Sequence, residues 1–209
     1  MDESARWIRT NEAEDVAASL RHALRCREFV LLDSQAWKWL ALALHSALQG
    51  ACVCRLVTTA SPVGAVAERN AAEWLEYFEK SSTEPNMTTP RTYLLSLPEL
   101  LKAARKPGSA GDGSGEFGIT VADDEVQWLT RFHNEIRNQF VHFEPRGWSL
   151  DISGIPELSK VIVKIIRDIM ELGWAFRHQD AGWKSAVFRD LTALASPFDF
   201  DTLPHSVQE

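Results

Sequence analysis

The segment from Ala36 to Val57 limits the fold more than any other part of the chain. It carries Trp37, Trp39, Leu40, Leu42, Leu44, Leu48, Val53 and Leu56, so apolar side chains point to nearly every side of a helix laid over it. A helix with a single apolar stripe packs on one side only, but one that is apolar all round must be enclosed by several neighbours. The segment therefore predicts a central helix inside an all-α domain. Its longest unbroken apolar run, Trp39 to Leu44, is far too short to span a bilayer and stops at His45. A hydrophobic content of 45% gives a chain of 209 residues enough material for one sizeable core.

The flanking segments also have a helical period. Val16, Leu20, Ala23, Leu24 and Leu31 make an amphipathic stripe, and Asp33-Ser34 reads as a cap or kink before the central helix. Ser61-Pro62 ends or interrupts that helix. Gly64 to Lys80 predicts a third helix with Val66, Trp74 and Phe78 as its buried contacts, and a short one follows around Pro98 to Arg105. Ser81 to Pro90 reads as a loop. So does Lys106 to Gly118, whose five glycines and proline mark a mobile linker. No strand precedes it and no Gly-Lys-Ser/Thr follows, so it does not read as a phosphate-binding loop.

Asp123-Asp124 is expected to cap a helix running to Phe143, ended by Pro145 and Gly147. Pro156 opens a strong helix with the stripe Leu158, Ile162, Ile165, Ile169 and Leu172, and another covers Trp183 to Ala195. Pro197 to Glu209 reads as a poorly ordered tail. The organisation expected is an N-terminal helix over residues 1–35, a helical core over 36–172, and a C-terminal helix with a flexible tail over 173–209.

Charge and cysteines narrow the function. A net charge of −7 argues against a broad nucleic-acid coat while leaving room for a focused basic site. Cys26, Cys52 and Cys54 read as reduced core residues of a cytoplasmic protein. Cys52-x-Cys54 is too short for a usual zinc pair, so no metal and no cofactor are expected. The acidic start Met1-Asp2-Glu3-Ser4 lacks the basic and apolar order of a secretory signal, and no membrane association is expected.

The residues with chemistry cluster in Arg137-Asn138-Gln139-Phe140-Val141-His142. Arginine offers a permanent charge and a planar donor fork suited to phosphate, and histidine is the side-chain type that titrates near neutrality. On a regular helix Leu129, Phe132, Ile136, Phe140 and Phe143 form the core arc, while Asn134, Asn138 and His142 fall on the opposite side. On that lattice His142 lies about 140° around from Arg137, so one uninterrupted helix cannot bring both to the same atom. Either the helix unwinds before Glu144-Pro145, or a two-fold partner supplies the complementary groups. An exposed histidine with no role is the plain alternative.

This spacing and setting resemble the Arg-x4-6-His signature of HEPN domains, all-helical modules many of which are dimeric endoribonucleases. The likeness implies a HEPN-like up-and-down bundle with a short loop after the motif helix, and a homodimer whose motif helices meet in a composite site. It further implies metal-independent cleavage of RNA, with His142 as acid/base, Arg137 stabilising phosphoryl charge and Asn138 orienting the imidazole. A toxin or phage-defence role with a nucleotidyltransferase-type antitoxin belongs to the same implication. Where some members carry a modifiable tyrosine two residues after the histidine, this chain has Glu144. Other members are catalytically silent modules that bind a nucleotide, RNA or a partner protein, and the motif fits that reading too.

Around the motif, Asn134, His133, Arg146, Lys160 and Lys164 are the candidate substrate contacts. His133 lies nearer the core stripe than His142. Lys160, Lys164 and Arg167 form a basic stripe that is either solvated surface or a guide for phosphates. His45 and Gln49, at i and i+4 on the most apolar helix, read as a buried hydrogen-bonded pair, and Trp148 as a packing anchor.

Overall fold

Asn11 sits in extended backbone, and its side chain accepts the Glu14 N–H at 2.9 Å, starting helix α1 (Glu12–Phe29). In the computed structural model, which describes residues 7, 8, 10–84, 86–142, 147 and 149–198, the chain is all-helical. After α1 come α2 (Ala36–Leu56), α3 (Glu68–Lys80), α4 (Leu97–Ala104) and α5 (Asp123–Arg131). A π-helical turn over Phe132–Arg137 joins α5 to α6 (Asn138–Val141), and α7 (Ile155–Glu171) and α8 (Ala181–Ala195) complete the chain. Among the described residues the only β pairing is an isolated antiparallel bridge between Val66 and Leu94.

The central position of α2 follows from its composition. Trp37, Leu40, Leu44, Leu48, Cys52 and Leu56 are all buried, and α1, α4, α7 and the π turn each pack on it. With 21 residues it is long and apolar enough to cross a membrane, yet 67% of its apolar window is buried inside the bundle. On α7, Leu158, Ile162, Ile165 and Ile169 are buried as their spacing predicts. α8, capped by Asp180 accepting the Trp183 N–H at 2.7 Å, closes the bundle against α7 and α1. One continuous core runs through α1, α2, α4, α7 and α8.

Three expectations change. The third helix starts at Glu68 rather than Gly64, which instead turns the chain at a φ of 102° that glycine alone tolerates well. Val66 is buried, but Trp74 is only half-buried and Phe78 is 41% exposed. Their rings pack on each other and on Tyr77, with centroids 5.5 to 5.8 Å apart. The stripe thus satisfies itself locally, and Asn70 ties α3 to the neighbouring segment by donating to the Arg91 carbonyl and accepting the Tyr93 N–H.

The glycine-rich segment is docked on α2. Gly111 N–H donates to the Arg55 carbonyl at 3.0 Å, and the fully buried Arg55 guanidinium donates to the Phe117 carbonyl at 3.3 Å. A Cβ on Gly111 would lie 2.0 Å from the Val57 carbonyl oxygen, so glycine serves close approach here rather than mobility. At the C-terminal end, Phe198 stacks on Trp37 at 5.6 Å, and Arg27 donates to the Ala193 and Pro197 carbonyls. The rest of the expected tail lies outside the described residues.

Candidate functional site

The motif helix is not regular. From Phe132 to Arg137 it runs in π geometry, and the Asn138 N–H reaches back five residues to the His133 carbonyl. One extra residue per turn rotates everything downstream by roughly 100° relative to an α-helix. Leu129 and Phe132 are buried as expected, whereas Ile136 and Phe140 are only partly so. Arg137 and Asn138 are half-buried, like Ile136 and Phe140, which pack against the core. A regular lattice puts Asn138 opposite the core, and in the structure it is half-buried.

The helix also ends earlier than Phe143. Val141 is its last residue, and His142 adopts extended backbone (φ −105°, ψ 93°) with its N–H still bonded to the Asn138 carbonyl at 2.8 Å. The chain therefore leaves the helix at the motif histidine itself, and His142 is exposed. Arg137 Nη1 donates to Asn138 Oδ1 at 2.9 Å, which fixes one edge of the guanidinium. Among the described residues no hydrogen bond joins Arg137 to His142 and no carboxylate pairs with Arg137. Asn134 is exposed and unconnected to this pair.

His45 has a different partner from the one its spacing suggests. Its Nε2 lies 2.8 Å from His133 Nδ1, and Gln49 is not involved. The rings are 22° from parallel with centroids 5.1 Å apart, close to what two imidazoles meeting nitrogen to nitrogen in one plane give. One proton occupies that contact, so one ring donates and the other accepts. Burial pushes the His45 pKa down to about 3, and the adjacent His133 and Arg137 reinforce it. His133 is lowered by burial and by Arg137, while Glu99 acts the other way. Both rings are neutral at pH 7.

Arg137 and His45 line an open cleft of about 580 Å³, with Ser46 and Gln49 from α2, Asp15 from α1 and its cap Asn11, and the apolar Leu42, Val53, Leu94 and Val141. Ser46 donates to Asp15 at 3.1 Å across its wall. The site thus joins three elements far apart in sequence. No local pattern links His45 to His133, 88 residues away, so their pairing was not readable before the fold was known.

The remaining candidates are less engaged. Lys160 bonds Glu157 at 2.5 Å, and Lys164 bonds both Glu125 oxygens at 2.7 and 2.8 Å, so carboxylates pair with both lysines of the expected basic stripe, while Arg167 donates to the Thr192 hydroxyl at 2.6 Å. Arg146 and Trp148 lie outside the described residues. Cys26 and Cys52 are buried and Cys54 partly so; burial pushes the Cys52 and Cys54 thiols up to about 12, which leaves them protonated. Among the described residues no group of three or more His, Cys, Asp or Glu side chains is arranged to hold a metal ion. No family model, curated protein or solved structure matches the chain.

Proposed function

We propose that this protein is a metal-independent endoribonuclease of the HEPN type, acting as a homodimer. The observation that carries the reading is the π turn immediately ahead of the motif, a rare geometry that recurs at functional sites. It sets Arg137 on the wall of a cleft of mixed polar and apolar lining with one edge of its fork held by Asn138, while His142 is exposed at the helix end. In this reading Arg137 stabilises charge on the phosphoryl oxygens, and His142 takes the proton from a ribose 2′-hydroxyl. The 2′-oxygen attacks phosphorus, the bond to the 5′-oxygen breaks, that oxygen takes a proton to leave as a 5′-hydroxyl, and the upstream product carries a 2′,3′-cyclic phosphate. DNA, which lacks the nucleophile, is not cut.

Exposed Val141 and Trp39 support close approach of a second copy near the motif, where a partner contributes the complementary Arg or His. Substrate recognition then rests on Arg137 rather than on the paired Lys160 and Lys164. A toxin or defence role, and inhibition by a nucleotidyltransferase-type partner, belong to the same proposal. The second reading, a silent module that binds a nucleotide, RNA or protein, is favoured by the lack of any Arg137–His142 contact within one chain.

Variants at the helix end separate the two readings. His142→Ala is expected to abolish cleavage of RNA and to leave the circular dichroism spectrum unchanged, because the side chain is exposed. Asn138→Ala is expected to give an intermediate loss, since Arg137 keeps its charge but loses its tether. Wild-type protein that leaves RNA intact would put the silent-module reading in its place, and cleavage by His142→Ala at the wild-type rate would remove His142 from the mechanism.

A further inference from the structure

The proposed cleavage does not use the His45–His133 pair, whose two imidazoles meet nitrogen to nitrogen at 2.8 Å. A buried imidazole bonded in-plane to a second imidazole, with a half-buried arginine beside both, is more than packing requires. Arg137 lines the cleft together with His45, so whatever binds Arg137 also changes the field at the pair. The structure assigns the cleft wall formed by Arg137 and His45 to a site for a tetrahedral oxyanion, and the pair that His45 makes with His133, which lies outside the cleft lining, takes up one proton as the anion binds. The inference deepens the proposed function by naming a phosphoryl-type ligand for its Arg137, but it does not need RNA to be cut.

The physical argument begins with charge. With the cleft empty of anion, the Arg137 cation and burial both hold the two rings neutral. A bound dianion cancels the arginine's field and adds an attractive one, which favours an imidazolium nearby. Because Nδ1 of His133 and Nε2 of His45 share one proton, the pair accepts its additional proton on a nitrogen outside that bond. His133 is the better acceptor, since it is less buried and has Glu99 near it, whereas His45 is held far lower. In the tautomer in which His133 Nδ1–H donates to His45 Nε2 and His45 carries its own proton on Nδ1, the bare His133 Nε2 takes a proton from solvent hydronium, which leaves as water, and no other bond changes.

The groups around the pair are few. Glu99 of α4 acts on His133, Arg137 of the π turn acts on both rings, and Glu12 and Asp15 of α1 border the cleft. The α1 carboxylates oppose an anion, so recognition must come from the arginine fork and from the proton gained by the pair.

Inorganic sulfate is the suitable probe, because it stays a dianion across the pH range in which the pair responds. Histidine and arginine side-chain NMR signals are followed as sulfate replaces chloride at constant ionic strength. Saturable shifts at His133 and Arg137 are expected, with affinity rising by up to about tenfold per pH unit as the pH falls from 7.5 to 5.5. Arg137→Gln is expected to weaken binding by roughly tenfold or more. His133→Gln is expected to lose the gain in affinity at low pH, so that at pH 5.5 it binds no more tightly than wild type does at pH 7.5. Long-range nitrogen–proton spectra without sulfate should show one shared proton between the rings, which also checks that the pair is intact. Sulfate acting no differently from chloride, pH-independent binding by wild type, or unchanged affinity in Arg137→Gln would each overturn the assignment. RNA cleavage without sulfate binding would refute this inference alone, and sulfate binding without RNA cleavage would refute only the nuclease reading.

Discussion

Replacing Arg137 with alanine is expected to lower RNA cleavage by about a hundred- to a thousandfold, the usual cost of removing a donor aimed at developing oxyanion charge. Arg137→Lys is expected to recover little of it, because an ammonium cannot reproduce a two-point fork. Lysine also cannot both satisfy Asn138 Oδ1 and present a planar edge to phosphate. The fold is expected to survive, since Arg137 is only half-buried and bonds no carboxylate among the described residues. Single-turnover rates on one defined RNA, with a denaturation curve for each variant, check both parts. Near-wild-type cleavage by Arg137→Lys would mean that the site needs a charge and not a fork.

Acid is expected to destabilise the protein well before its carboxylates titrate. In the unfolded chain His45 has its ordinary pKa of 6.5, whereas in the fold it is held at about 3. The unfolded state therefore binds the extra proton first, and stability falls as the pH drops below 6.5. The loss continues until the folded ring itself protonates near 3. Each pH unit in that window costs about 1.4 kcal/mol per such group. Between pH 6.5 and 5 this amounts to roughly 2 kcal/mol, or a fall in Tm of about 4 to 8 °C for a domain of this size. His133 is lowered in the same direction and adds to it. The depressed carboxylates Glu99, Glu125 and Asp151 lose their contribution only below the ordinary carboxylate range, so the interval from 6.5 to 5 isolates the histidines. His45→Gln is expected to be less stable at pH 7.5 but to show a flatter dependence across this interval. Equal slopes for both proteins would show that His45 is not held neutral by the fold.

The helices were legible because their signals are local. Leu158, Ile162, Ile165 and Ile169 announce a buried face whatever lies opposite, and a segment apolar on all sides has no place but the centre. The third helix misled because Trp74, Tyr77 and Phe78 satisfy one another, and periodicity cannot distinguish a stripe on the core from one packed on itself. The motif was readable as chemistry but not as geometry. No residue from Phe132 to Arg137 advertises a π turn, and Arg137 and Asn138 are half-buried beside it. The pairing of His45 with His133 depends on α2 lying against the π turn, a tertiary fact. Glycines likewise signalled freedom at Gly111 where the fold uses them for contact.

The most direct test of the account is to incubate the purified full chain with mixed RNA and matched DNA in excess EDTA and to determine the product end groups. Cleaved RNA with 2′,3′-cyclic phosphate and 5′-hydroxyl ends, alongside intact DNA, is the result the account predicts. Intact RNA under these conditions, or cleavage that EDTA abolishes, would contradict it.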